Sequence, residues 1–244
     1  DNASPAGIES AAIRGLGLLA AGHPRRATAA YDDLSTRVRH GAQAQRVVMG
    51  RGWVQLIRDD VDGARASLES AVAAAGLGGS RRITLWALAW LARLQFATGE
   101  WDRAMDTVER GRALAAASGI VLTTPLFEWT AAQIGALRGD WVAAAAAARA
   151  ASSVTGDYEM MVIPTVLARA QVAEAEADYA KVRELAEPLA RMSAGTSLHE
   201  PGYWPWPDLL ANALVLDGRL EDADSFLRPH EQRAKSRAHR SAQA

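Results

Sequence analysis

Cysteine is absent from the 244 residues, which removes disulfides, thiolate metal sites and cysteine nucleophiles together. Lysine is almost absent: Lys181 and Lys235 are the only two, and no G-x-x-x-x-G-K-[ST] phosphate loop occurs, so any ATPase would lie outside this segment. No apolar run approaches the ~18 residues of a membrane-spanning helix. A cationic stretch followed by an apolar core and cleavage site is also missing, so nothing argues for secretion. The formal net charge is −1, which supplies no long-range attraction to nucleic acid or an anionic membrane. Strand-like alternation with β-branched enrichment is lacking as well. These absences together point to a cytoplasmic, all-helical chain with no cofactor.

What the chain has is alanine, apolar periodicity and tryptophan. Apolar residues make up 49%, enough for a continuous core. They fall at helical spacing, as in Leu85, Leu88, Leu91, Ala92 and Phe96, and the run Ala143 to Ala148 is built of the best helix former. The segment Gly99-Glu-Trp-Asp-Arg-Ala104 returns as Gly139-Asp-Trp-Val-Ala-Ala144. Weaker copies begin at Gly22, Asp59, Ala177 and Gly218, giving intervals of 37, 40, 40, 38 and 41 residues along the chain. A fixed period of that size signals a repeat architecture.

Hairpin geometry explains the motif. Glycine at the turn accepts φ > 0 and ends the first helix, A. The Asp or Glu beside it caps the second helix, B, at its positive end. The aromatic that follows (Trp101, Trp141, Tyr179) is expected to wedge between the two helices. The small residue three further on (Ala104, Ala144, Ala223) lets them approach. The spacing predicts six hairpins, with helices near 8–21 and 25–38, 42–58 and 61–75, 81–97 and 101–118, 124–138 and 141–153, 158–176 and 179–193, and 205–217 and 220–237. Residues 1–7 are expected to be a lead, 194–203 a long loop and 238–244 a tail of one solenoid domain spanning 1–244, itself a piece of a longer protein.

The pattern G-D-[YW]-x-x-A resembles the tetratricopeptide repeat, which implies a right-handed α-α superhelix. The period nearer 40 than 34, and Pro24, Val61 and Leu220 in place of the aromatic, are departures from that pattern. The segment from Glu200-Pro-Gly-Tyr-Trp-Pro-Trp-Pro-Asp-Leu-Leu to Leu220-Glu-Asp-Ala223 resembles a stretch common in large ATP-dependent LuxR-type regulators. The maltose-regulon activator belongs to that family. The resemblance implies an effector-sensing and interaction region. A ligand or partner in its concave groove would bias oligomerisation and the attached ATPase and DNA-binding parts. The alternative is a general protein–protein scaffold without small-molecule sensing.

Other motifs are weak. Gly15-Leu-Gly17-Leu-Leu-Ala20 matches a dinucleotide fingerprint but sits inside a helix without the preceding strand, so close helix packing is the better account. His23, His40, His199, His230 and His239 show no metal-ligand spacing, and no G-x-S-x-G elbow exists. An enzyme is therefore not expected, and no metal. The acidic stretch Glu174, Glu176 and Asp178 reads as a solvated helix end. The basic tail of Arg228, Arg233, Lys235, Arg237 and Arg240 is interleaved with acids, so direct nucleic-acid contact is not expected. Asn2-Ala-Ser4 matches a glycosylation sequon by chance in a cytoplasmic chain.

Eight tryptophans against three phenylalanines are many. In tetratricopeptide solenoids helix A lines the concave face, and the repeat register then places Arg46 and Trp53, Trp86, Trp90 and Arg93, Trp129 and Gln133, Gln171, and Asp208 and Asn212 in the groove. Trp204 and Trp206 lie where the sixth hairpin begins. Such a groove suits a flat or sugar-like effector, or a protein partner or second copy, by stacking and hydrogen bonds. It lacks the Lys/Asn set of repeats that clamp a peptide carboxylate. Tryptophans that merely fill a tight superhelix are the competing account.

Overall fold

A computed structural model describes residues 4–38, 40–153, 159–192 and 197–243. These residues form twelve α-helices and, among them, no strand: α1 Pro5–Ala20, α2 Pro24–Arg37, α3 Gly41–Ile57, α4 Val61–Ala73, α5 Arg81–Ala97, α6 Trp101–Ser118, α7 Thr124–Leu137, α8 Trp141–Ser152, α9 Glu159–Ala175, α10 Tyr179–Ala190, α11 Trp206–Leu216 and α12 Leu220–Arg237. Consecutive helices pair as six hairpins. The odd-numbered helices also pack on one another in order, α1 on α3 through α9 on α11, so they form a continuous inner row. The fold is an all-α solenoid of stacked helical hairpins. Among the described residues, no helix is long and apolar enough to cross a membrane.

The turns work as the repeat requires. In all six, the N–H of the residue after the turn position donates back to the fifth residue before it, as Glu100 N to Gln95 O at 2.8 Å and Asp140 N to Gly135 O at 2.9 Å. This satisfies a carbonyl left free at the helix end. The turn residue is left-handed throughout. Gly99 has φ 80° and Gly139 φ 74°, but Asp59 (67°) and Ala177 (59°) hold the same conformation with a Cβ. A left-handed alanine costs roughly 1–2 kcal/mol, and glycine returns part of any gain through its looser unfolded chain. Ala177→Gly is therefore expected to stabilise the protein by about 1 kcal/mol. A urea midpoint that falls instead of rising would count against it.

The small residue of each repeat closes its hairpin: Ala27, Ala64, Ala104, Ala144 and Val182 are fully buried and Ala223 nearly so. Gly15 is a packing residue, as expected. A Cβ on Gly15 or on Gly50 would stand 2.7 or 2.5 Å from Tyr31, whose ring lies against both and whose hydroxyl donates to Ala12 O at 2.6 Å.

Three expectations are corrected. The lead is shorter, because α1 starts at Pro5 with the Ser4 hydroxyl accepting from Gly7 N at 3.1 Å; residues 1–3, like 158 and 194–196, lie outside the described residues. Of the aromatics at the start of helix B, Tyr179 packs partly buried against the core, but Trp101 and Trp141 are not wedges. Trp141 is 45% exposed, and Trp101 lies flat on Phe96, with ring centres 6.0 Å apart. A residue at the first helical position sits at the rim of the hairpin; the buried contact comes one turn later, from the small residue. Finally, Asp60, Asp140 and Asp178 cap their helices through the side chain, but Glu100 does not. Its longer carboxylate accepts from the Thr98 hydroxyl and from Arg65 and Arg103, which together hold its pKa down to about 2.

The chain also closes on itself. His239 Nε2 donates to Ile57 O at 2.8 Å while its Nδ1 accepts from Ala242 N at 3.1 Å. Ser241 donates to the Asp59 carboxylate through both its backbone N–H, at 2.8 Å, and its hydroxyl. Burial pushes the Asp59 carboxyl up, but these bonds and the nearby His239 and Arg240 backbone outweigh it and leave the pKa lowered. The expected tail is thus a strap from the last helix to the second hairpin. Within the basic stretch, Arg228 pairs with Asp224, Arg237 with Glu200, and Arg233 donates to His199 O.

Candidate binding site

Helical spacing sets the site. Trp86 and Trp90 are four residues apart and Arg93 three further on, so α5 presents all three along one face. Trp53 of α3 stacks between them, 4.7 Å from Trp90 at 22° and 6.0 Å from Trp86 at 23°. The next ring comes from outside the inner helices. Trp204, in the segment leading into α11, sits 5.8 Å from Trp90 and 5.8 Å from Trp129 of α7. Tyr203 meets Trp53 edge-on at 5.6 Å. The result is one aromatic row: Trp86, Trp53, Trp90, Trp204, Trp129. Each such pair adds about 0.5–1.5 kcal/mol beyond area burial.

At the end of the row the Arg93 guanidinium lies 3.5 Å over the Trp129 ring and 4.6 Å from that of Phe96. Its Nη1 donates to Gln133 Oε1 at 3.0 Å. Among the described residues no carboxylate pairs with it, since none of the ion pairs there involves Arg93. Burial pulls its pKa down to about 9, which still leaves it charged at neutral pH. Trp129 is fixed from behind by its Nε1 donating to Gln171 Oε1 at 2.7 Å.

Beside this row lies a cavity of about 640 Å³, bordered by Trp90, Arg93, Trp129 and Trp204 of the row and its end, and by Glu200 and Asp208. Residues of α12 and of the closing strap complete the wall, among them His230, Glu231 and Lys235. Burial, then the neighbouring His199 and Arg233, push the His230 pKa down to about 4, so the ring is neutral at pH 7. Glu200 is engaged with Arg237. Asp208 pairs with no cation among the described residues, and burial raises its pKa.

The structure therefore gathers Trp53, Trp86, Trp90, Arg93, Trp129, Gln133 and Gln171 into one assembly, with Asp208 also bordering the cavity. Six of the ten residues expected in the groove do not border the cavity: Trp53, Trp86, Gln133 and Gln171 belong to the row and its supports, while Arg46 and Asn212 are engaged elsewhere. Arg46 ties α3 to Glu9 of α1 at 3.1 Å, and exposed Asn212 donates to Glu174 at 2.9 Å. Gln171 serves Trp129 rather than the cavity. The chain's own Tyr203 and Trp204, both buried, pack against Trp53, Trp90 and Trp129, so part of the tryptophan row is packing within the superhelix. The readable signal was the aromatic and proline cluster Tyr203-Trp-Pro-Trp-Pro207. A loop that apolar cannot remain in water at this size without finding a surface.

The inserted segment is anchored from α12 by Arg233 at His199 O and by the Arg237–Glu200 pair. Trp206 Nε1 donates to Leu198 O at 2.7 Å and closes the loop. The indole N–H groups of Trp53, Trp90 and Trp204 are buried without a partner among the described residues. Ring packing alone holds that part of the row.

No family model and no curated protein sequence matches the chain. A solved tetratricopeptide repeat protein from Parabacteroides merdae ATCC 43184 is similar at 12% identity, with a TM-score of 0.49 over 91% of this chain and 78% of that one. The fold assignment rests on this chain's own helices and their packing, not on that likeness.

Proposed function

We propose that the chain is a binding segment of a larger regulatory protein and that the cavity beside the tryptophan row is where its ligand or partner is held. The observation that carries this is the pairing of apolar walls with a guanidinium that is positioned by Trp129 and Gln133 but unmatched by any carboxylate among the described residues. Concave, largely apolar sites with a few placed polar groups are the usual form of a binding pocket. The finer reading is the effector-sensing region of a LuxR-type regulator, and its support is the sequence of the Glu200–Ala223 segment. A ligand would act there by binding one conformation of the solenoid better than another. A general interaction scaffold, engaging a protein partner or a second copy with no small-molecule effector, is the other reading of the same fold.

Five tryptophans touch in the row, so intrinsic fluorescence and thermal denaturation both report on it. Against a metabolite panel, at least one small molecule is expected to change the emission and raise the midpoint. A ligand at 100 times its Kd adds about 2.7 kcal/mol. If only a partner protein moves either signal, the sensing reading fails and the scaffold reading stands. A full-length protein without a phosphate-binding loop upstream or a helix-turn-helix downstream would defeat the LuxR-type assignment.

A further inference from the structure

Resting on the cavity reading above, we infer that the ligand is an aromatic or otherwise planar monocarboxylate, held by Arg93 against the tryptophan row. Arg93 borders the cavity, yet the only hydrogen bond it gives among the described residues is Nη1 to Gln133. The remaining edge of the fork, Nε and Nη2, is the geometry that receives the two oxygens of a carboxylate side by side. Trp129 and Phe96 lie against the guanidinium face at 3.5 and 4.6 Å. Stacking fixes the plane of the fork and leaves its edge for the ligand. Trp90 and Trp204 border the same cavity and give it a rigid apolar wall against which a flat body fits.

The wall also selects a single negative charge. Asp208, Glu200 and Glu231 border the cavity. Glu200 is neutralised by Arg237, but Asp208 has no such partner among the described residues. Lys235 is exposed on the rim, and His230 is neutral at pH 7. One guanidinium facing such a wall balances one charge; a phosphate dianion would be left with an uncompensated charge near Asp208.

The test uses the whole chain with benzoate, its uncharged counterpart benzamide, and phenyl phosphate, read by tryptophan fluorescence and calorimetric titration. Benzoate is expected to bind at least about tenfold more tightly than benzamide, the difference made by a charge-assisted bidentate contact. Arg93→Gln is expected to remove that preference, so that benzoate binds no more tightly than benzamide. Arg93→Lys, which keeps the charge but not the fork, is expected to bind benzoate about 3–10-fold more weakly than the parent. It stands in should the glutamine variant fail to fold. Equal affinity for benzoate and benzamide, or an Arg93→Lys variant that binds benzoate as the parent does, overturns the carboxylate assignment and leaves the cavity reading in place. Tighter binding of phenyl phosphate overturns it in favour of a phosphate ligand. Failure of all three probes to bind overturns the carboxylate assignment alone, since the cavity reading is decided by the metabolite panel and the partner protein.

Discussion

Trp204→Ala is expected to destabilise the protein by about 3–5 kcal/mol, the range for emptying a large aromatic from a packed interior. The residue lies outside every helix, and a loop tryptophan would ordinarily contribute little. Here it is 4% exposed and bridges Trp90 to Trp129, two rings from helices in neighbouring hairpins. Its removal uncovers both and leaves Tyr203 without its neighbour. The indole N–H has no partner among the described residues, so no hydrogen bond is lost there and the cost is almost entirely packing. Trp204→Phe should for that reason recover most of it. Urea denaturation monitored by circular dichroism measures the difference. A cost below about 1 kcal/mol, the level of an ordinary surface change, would mean that the segment does not hold the tryptophan row together.

The second large effect belongs to a buried ion pair between hairpins. Glu128 of α7 is 4% exposed and accepts from Arg112 of α6, whose Nε lies 2.8 Å from Oε1 and whose Nη2 bonds Oε2. Arg112 also bonds Glu109, and the Glu128 contacts, outweighing burial, hold its pKa above the usual arginine value. Arg112→Ala leaves a carboxylate in the core without its partner, a loss of about 3 kcal/mol at neutral pH. The figure sits at the low end of the buried-pair range because the Arg112 side chain is 34% exposed. The double replacement Arg112→Leu/Glu128→Leu is expected to recover most of the loss, since apolar packing substitutes for a buried pair with little penalty. Chemical denaturation of both variants decides it. If the double variant is as unstable as the single one, the desolvated carboxylate is not the cause.

The expected hairpins and the observed ones agree closely because their determinants are local. A left-handed turn residue, a carboxylate beside it and a small residue five positions on act within one turn of chain, and their recurrence sets the phase of every helix. Phase is also why Trp53, Trp90, Arg93 and Trp129 were legible as neighbours: equivalent positions in adjacent repeats face the same way. The aromatic at the start of helix B was misjudged for a related reason. Sequence spacing gives its angle around the helix but not its height along it, and at the first turn that height puts Trp141 at the surface.

By itself the sequence determined the helices, their pairing and the side of each that faces inward, since these follow from turn chemistry and periodicity. Tertiary structure alone decided what occupies the inner face. Trp204 meets Trp90 and Trp129, and His239 and Ser241 meet Ile57 and Asp59, 182 residues earlier in the chain. No repeat phase governs the segment before α11 or the strap after α12. Their places follow from apolar rings and donors finding the surface that buries and pairs them, and that surface exists only once the hairpins have stacked.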